Sequence, residues 1–169
     1  LTFALAACAT APRPKPVSEG PATDVAPPDG QPAAARIVAG ARAMLGQPYR
    51  YGGAAPGGFD CSGLVVYSVE GAGIRVPRTA REQLRAGAPI ARAALRAGDL
   101  VFMRIARKDL HVGIAIDSDR FVHAPAAGGY VRIDSLSAPP YARSFLTGRR
   151  IVDGPAAQPG RRRGTAHTL

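Results

Sequence analysis

The sequence predicts an α+β domain in which helices come first and antiparallel strands follow. Three observations carry this reading. Cys61, Leu64, Val65, Ser68 and Val69 fall at helical spacing, so one face of a helix points inward. The run from Leu110 to Ile116 alternates like a half-buried strand. Asp117-Ser118-Asp119 is a turn signal, after which Arg120-Phe121-Val122-His123-Ala124 returns as a partner strand.

The other elements follow in chain order. Ile37, Gly40, Ala41, Met44 and Leu45 give a helix over 33–45 an apolar face, and Gly46 with Pro48 ends it. Pro48 to Gly58 is a glycine-rich loop, and glycine lets backbone come close to a ligand. Asp60 is an N-cap residue that places Cys61 in the first turn of the next helix, which ends near Gly71-Ala72-Gly73. Thr79, with Glu82 three residues on, predicts a capping box and a short helix running to about Gly87. Gly98-Asp99 is a turn, 100–105 a strand, and Arg107-Lys108-Asp109 an exposed loop. Further strands are expected over 130–133 and 147–152.

On the strand from Leu110, Val112, Ile114 and Ile116 share one face, and His111, Gly113 and Ala115 the other. The small residues beside His111 would let a helix lie close there. If Gly113 pairs with His123, the two histidines are diagonal neighbours on one face. One residue of slip would send His123 to the opposite face.

The first residues have a different character. Leu1 to Cys8 is an apolar run too short to cross a membrane, and it reads as the back half of a secretory segment. Leu5-Ala6-Ala7-Cys8 resembles a bacterial lipobox, whose cysteine becomes lipidated; an unlipidated signal peptide that contains a cysteine is the alternative. By analogy with bacterial lipoproteins, Ala9 after that cysteine, rather than an aspartate, points to sorting to the outer membrane, facing the periplasm. Residues 9–34 are dense in Pro, Ala and Gly and read as a tether. At about 3.1 Å per residue, roughly 25 extended residues give on the order of 80 Å of reach. The folded domain is expected over 35–153, and 154–169 as a basic disordered tail.

The chain has a formal net charge of +10, carried almost entirely by arginine and spread along its length. Abundant Ala, Gly, Pro and Arg with scarce lysine fit a compositional origin, and no nucleic-acid-binding fingerprint is present. The residual positive charge suits proximity to an anionic polymer. With Cys8 consumed by lipid, Cys61 is the unpaired one of two cysteines.

A thiol in the first turn of a helix meets unpaired N–H groups and the helix dipole, which predicts a lowered pKa. A histidine on a strand then suits a nucleophile–base pair, and a second histidine can orient the first. Each residue alone also fits a quieter role: Cys61 as a buried inert thiol, either histidine as a satisfied half-buried polar group. Zinc held by Cys61, His111 and His123 is a further rival, but no CxxC or HxxxH pair supports it, and no metal or other cofactor is expected.

Six stretches occur together and in order: Pro48-Tyr49-Arg50-Tyr51-Gly52-Gly53, Asp60-Cys61-Ser62-Gly63-Leu64-Val65, Pro77-Arg78, Gly98-Asp99-Leu100-Val101-Phe102, His111-Val112-Gly113-Ile114 and Phe121-Val122-His123-Ala124. In order and spacing they resemble the NlpC-type bacterial cell-wall peptidases, over about residues 35–152. The resemblance implies a papain-like α+β fold and hydrolysis of amide bonds in peptidoglycan stem peptides. It implies Cys61 as nucleophile, His111 as base, His123 as the orienting residue and Tyr49 as a site-lining or oxyanion group. Asp60 and Ser62 match positions that hold a stem-peptide amine in some members, although Asp60 is also a cap. Arg78 is a candidate grip for a substrate carboxylate. Met103 stands where many members have an aromatic residue. No SH3-like or LysM-like segment is recognised, and the chain most resembles lipoprotein members that include endopeptidases of D-alanine–diaminopimelate crosslinks. Cleavage of the D-glutamate–diaminopimelate bond, a non-catalytic wall-binding role and thioester acyl transfer stay open as alternatives.

Overall fold

The computed structural model describes residues 31–105, 109–126 and 129–152. The expected lipobox with Cys8, most of the tether, Arg107-Lys108 and the basic tail lie outside them. Helix α1 spans Ala33–Ala43 and buries Ile37 and Ala41, whereas Leu45, expected on the same face, lies past its end and is exposed. Two-residue arms β1 (Ala54–Ala55) and β2 (Gly58–Phe59) close the glycine-rich loop as a miniature hairpin.

Helix α2 spans Cys61–Glu70, and the Asp60 side chain accepts from the Gly63 amide as its N-cap. At its far end the Arg36 guanidinium of α1 donates to the Ala72 carbonyl at 2.8 Å, a cation where the helix dipole is negative. Helix α3 is a single turn, Ala80–Gln83, held by the expected Thr79–Glu82 capping box. It is shorter than the sequence suggests, and the chain then enters an edge strand, β3 (Ala88–Ile90), that the pattern did not reveal. Pro89 at its centre is tolerated because the strand has a neighbour on one side only.

The remaining strands are β4 (Leu100–Ile105), β5 (Asp109–Ala115), β6 (Arg120–His123), β7 (Arg132–Ser135) and β8 (Phe145–Arg150). With β3 they form a six-stranded antiparallel sheet in the order β3-β8-β4-β5-β6-β7. Asp109 begins β5 rather than ending a loop. Strand β7 starts two residues later than expected and runs on to Ser135, while Tyr130 makes only an isolated bridge to Pro48.

The main core lies between helices and sheet, built from Ile37, Leu64, Val65 and Val69 against Phe102, Val112, Ile114 and Val122. A second cluster on the other sheet face joins Val101, Met103, Ala115 and Phe121 to Leu136 and Tyr141. The helices thus cover the Val112–Ile114 face of β5. This corrects the expectation that small residues beside His111 make room for a helix. Gly113 makes room for a ring instead, since a Cβ there would sit 2.7 Å from Phe121 Cδ2 and 3.2 Å from His123 Cβ. Among the described residues no helix is long and apolar enough to cross a membrane.

The loop and α2 touch through bare backbone: Gly63 lies so close to Gly53 that a Cβ would collide with its carbonyl oxygen. That oxygen already accepts from the Asp60 amide at 3.0 Å, so it has no room to move. Gly63→Ala is expected to lower stability by about 2 kcal/mol or more, in the upper part of the overpacking range. Urea unfolding would read it, and a change under 0.5 kcal/mol, the scale of neutral surface substitutions, would show that the loop is not clamped.

Candidate active site

Asp60 organises the start of α2. Its Oδ1 accepts from the Gly63 amide at 2.6 Å and from the Ser62 hydroxyl at 3.1 Å, and its Oδ2 accepts from the Gly52 amide at 3.0 Å. Arg78 grips both oxygens, at 3.0 and 2.6 Å, and also donates to Ser62 Oγ at 2.9 Å. Burial works against the Asp60 charge, but the Arg78 fork and the Gly63 amide outweigh it and hold the carboxyl below the usual carboxylate range. Asp60, Ser62 and Arg78, expected to meet substrate, are thus bonded to one another here. One carboxylate ties the loop, α2 and the approach to α3 together. Gln83, fully buried, adds a second tie by donating to the Ser62 carbonyl at 3.1 Å and the Pro77 carbonyl at 2.8 Å.

Cys61 is partly buried against the helix–sheet core and is a free thiol. Burial pushes its pKa up and the nearby Asp60 charge adds to that, while the amides of Val112, Ser62 and Cys61 itself pull it down. Burial wins, so the thiol lies above its ordinary value near 9. The expected lowering is corrected: the helix-terminal amides are present but do not offset desolvation. The Val112 contact also locates the sulfur. It lies beside the residue that follows His111, two residues before β5 begins to pair with β6 at Ile114↔Val122 and Ala115↔Phe121.

That register, continued by one pair, sets Gly113 opposite His123, as the diagonal-neighbour expectation requires. The histidines meet through His111 Nε2 and His123 Nδ1 at 2.7 Å, rings nearly perpendicular. Burial, with the neighbouring His123, lowers the His111 pKa to about 3. His123 is fully buried, and burial lowers its pKa too, although its bond to Asp134 opposes this. The resting site therefore holds a neutral thiol and neutral imidazoles. Met103 pairs directly with His111 across β4 and β5, so the position that departs from the family pattern borders the imidazole.

Tyr49 packs against the same core, anchored by its amide to the Gly129 carbonyl at 2.8 Å. Burial and the adjacent Cys61 and Asp60 raise its phenol pKa, so it remains a proton donor at neutral pH. Among the described residues no group of three or more His, Cys, Asp or Glu is arranged to hold a metal ion.

Three residues beside the histidines escaped the sequence reading. Asp134 Oδ2 accepts from His123 Nε2 at 2.9 Å, from Tyr141 Oη at 2.8 Å and from Arg132 Nε at 2.9 Å. Arg132 stands directly across from His123, and Asp134 lies two residues further on the same face. A strand extended past 133 would have put Asp134 diagonal to His123.

A thiol at a helix start, a buried imidazole pair and a helix–sheet α+β framework together define a papain-like class of protein. Residues 46–150 match the NlpC/P60 family, and the chain belongs to that family. It is 43% identical over 115 residues to murein DD-endopeptidase MepH of Escherichia coli, a match covering 64% of this chain and 42% of that protein. It is 38% identical over 108 residues to murein DD-endopeptidase MepS/murein LD-carboxypeptidase of Escherichia coli, covering 63% and 57%. The crystal structure of an NlpC/P60 family protein from Bacillus cereus superimposes with a TM-score of 0.67 at 31% identity, covering 72% of this chain and 41% of that one. The chain thus spans about half the length of these curated relatives.

A neutral resting thiol has a kinetic signature. The rate of Cys61 alkylation by iodoacetamide is expected to climb with pH, still rising at pH 8–9, because the thiolate fraction grows about tenfold per pH unit below the thiol pKa. A plateau setting in near pH 5–6 would mean a resting thiolate–imidazolium pair and would overturn this reading.

Proposed function

We propose that this chain is a peptidoglycan endopeptidase that hydrolyses amide bonds of stem peptides, D-alanine–diaminopimelate crosslinks first among them. The observation that carries the reading is the His111–His123 contact in an NlpC/P60 domain whose helix-initial cysteine takes the amide of Val112, the residue after His111. Relatives named murein DD-endopeptidases support the choice of bond.

With its Nε2 turned to His123, His111 has Nδ1 left for the thiol. That nitrogen takes the Sγ–H proton as the thiolate attacks the scissile carbonyl carbon. The oxyanion is held by the Cys61 amide and the Tyr49 hydroxyl, which stays protonated. His111 then gives its proton to the leaving amine as the C–N bond breaks, leaving a thioester on Cys61. Water attacks that thioester, His111 takes the water's proton, and the Cys61 thiol is released with the product acid. Starting from a neutral pair suits a substrate bond buried as it reacts, since no charge has to be desolvated first. The Asp60–Arg78–Ser62 cluster borders the nucleophile. There Asp60 would meet a stem-peptide amine only in competition with Arg78, and Arg78 a carboxylate only by loosening its hold on Asp60.

Incubation with crosslinked and monomeric muropeptides, read by mass spectrometry, tests the reading. Crosslinked dimers are expected to become monomers with the wild-type protein and to persist with Cys61→Ala, a loss of at least roughly a thousandfold for a covalent nucleophile. Cleavage within monomer stems would move the bond to D-glutamate–diaminopimelate. Transfer to an added amine in preference to water would make the protein an acyltransferase. No product from any substrate would leave a wall-binding module.

We also infer that Cys8 carries a lipid anchoring the domain to the periplasmic face of the outer membrane, with 9–34 as tether. The lipobox-like Leu5-Ala6-Ala7-Cys8 supports this. Incorporation of labelled palmitate that disappears in Cys8→Ser is the expected result; equal labelling of both, or none, would sink the anchor.

A further inference from the structure

We propose that Asp134 fixes the tautomers of both histidines and is thereby a positioning residue for proton transfer at Cys61. The consequence for turnover rests on the peptidase reading above, whereas the tautomer assignment stands apart from it. The argument is one of donors and acceptors. An ionised carboxylate can only accept. The bonds from His123, Tyr141 and Arg132, working against burial, hold the Asp134 carboxyl below its ordinary range, so it is ionised at neutral pH. His123 must therefore carry its proton on Nε2, facing Asp134 Oδ2 at 2.9 Å. In the neutral ring, His123 Nδ1 is then an acceptor. Its partner 2.7 Å away, His111 Nε2, must be the donor. His111 is left with a lone pair on Nδ1, the nitrogen assigned to the Cys61 proton.

The direction of the whole chain of bonds is thus set at its outer end. Reversing it would put a proton on His111 Nδ1 and leave no base for the thiol. The carboxylate is itself held in place. Tyr141 Oη donates to the oxygen that His123 uses, and the Tyr141 ring packs edge-on against Phe121 and His123. Arg132 approaches the same oxygen from the solvent side. No proton leaves the histidine pair in this scheme. When His111 takes the thiol proton on Nδ1 it keeps its Nε2 proton, and the imidazolium bonds more strongly to His123 Nδ1.

The test uses the full chain with isotope-labelled histidine. Long-range proton–nitrogen spectra assign the ring tautomers without any substrate, and kcat and KM on crosslinked muropeptides are measured alongside. Wild-type protein is expected to show His111 and His123 both protonated at Nε2 only. Asp134→Asn presents an amide that can donate as well as accept, so the forced direction is lost. The His111 signature should become mixed, and kcat should fall roughly ten- to hundredfold with KM little changed. That is less than the about 10⁴-fold lost where an orienting carboxylate touches the catalytic imidazole itself. Asp134→Glu should restore the tautomers and part of the rate, and Tyr141→Phe should leave both tautomers as they are. A wild-type spectrum with the proton on His111 Nδ1 would overturn the proposal, even if no Asp134 variant folds. Unchanged tautomers and kcat in Asp134→Asn, with only a lower melting temperature, would do so as well. Wild-type protein with the expected tautomers and no activity would uphold the assignment and defeat the peptidase reading instead.

Discussion

Everything at the site depends on the register between β5 and β6. It is carried by the pairs Ile114↔Val122 and Ala115↔Phe121 and, next to the turn, by the Ile116 amide donating to the Arg120 carbonyl at 2.9 Å. In that register Val112, Ile114 and Val122 meet the helices, while His123 falls beside His111. A slip of one residue would send Val122 out of the core and His123 into it. The same hydrophobic pattern that stabilises the sheet therefore also aligns the imidazoles. The tight Asp117 turn adds to this, its carboxylate accepting from the Asp119 and Arg120 amides at 2.8 and 2.6 Å. Gly113 completes the arrangement by leaving space for the Phe121 ring behind the pair.

Charge is managed differently on the two flanks of Cys61. On the helix side, Asp60 is kept ionised by a bidentate arginine and by amides, in a partly exposed setting. On the sheet side the two histidines are kept neutral by burial, and the formal charges appear only further out, at Asp134 and Arg132. Cys61 thus sits between a compensated ion pair and a pair of neutral imidazoles, and neither supplies it with a net positive charge. This is why the helix N-terminus, which alone would favour the thiolate, does not decide the state of Cys61.

The elements near the site are legible from local signals. The Asp60 cap, the capping box at Thr79, the strand at β5 and the Asp117 turn all rest on short-range chemistry, and the structure has them. The diagonal histidines were legible because alternation along a strand fixes faces. What stayed hidden depends on contacts between segments distant in the chain. Strand β3 is only three residues long with a proline at its centre, and exists because β8 is there to pair with it. The state of Cys61 follows from how deeply the helix start is covered, which spacing does not encode. Asp134 was missed through a strand boundary misjudged by two residues. Arg78 was read as a free fork because nothing in Pro77-Arg78 points to Asp60, 18 residues earlier.

The bare contact between Gly63 and Gly53 limits how the loop beside Cys61 can move. The wall that carries Tyr49 is pressed onto α2 with no side chain in between and is pinned again through Gly52 to Asp60. It cannot swing outward without giving up the two bonds that join Gly52 and Gly53 to the capping residue Asp60. The jaw so formed beside Cys61 is therefore cast in a single piece with the start of α2. A molecule entering beside Cys61 must already have a shape that suits this jaw, and selection on that side works as a fixed gauge rather than as a closing hand.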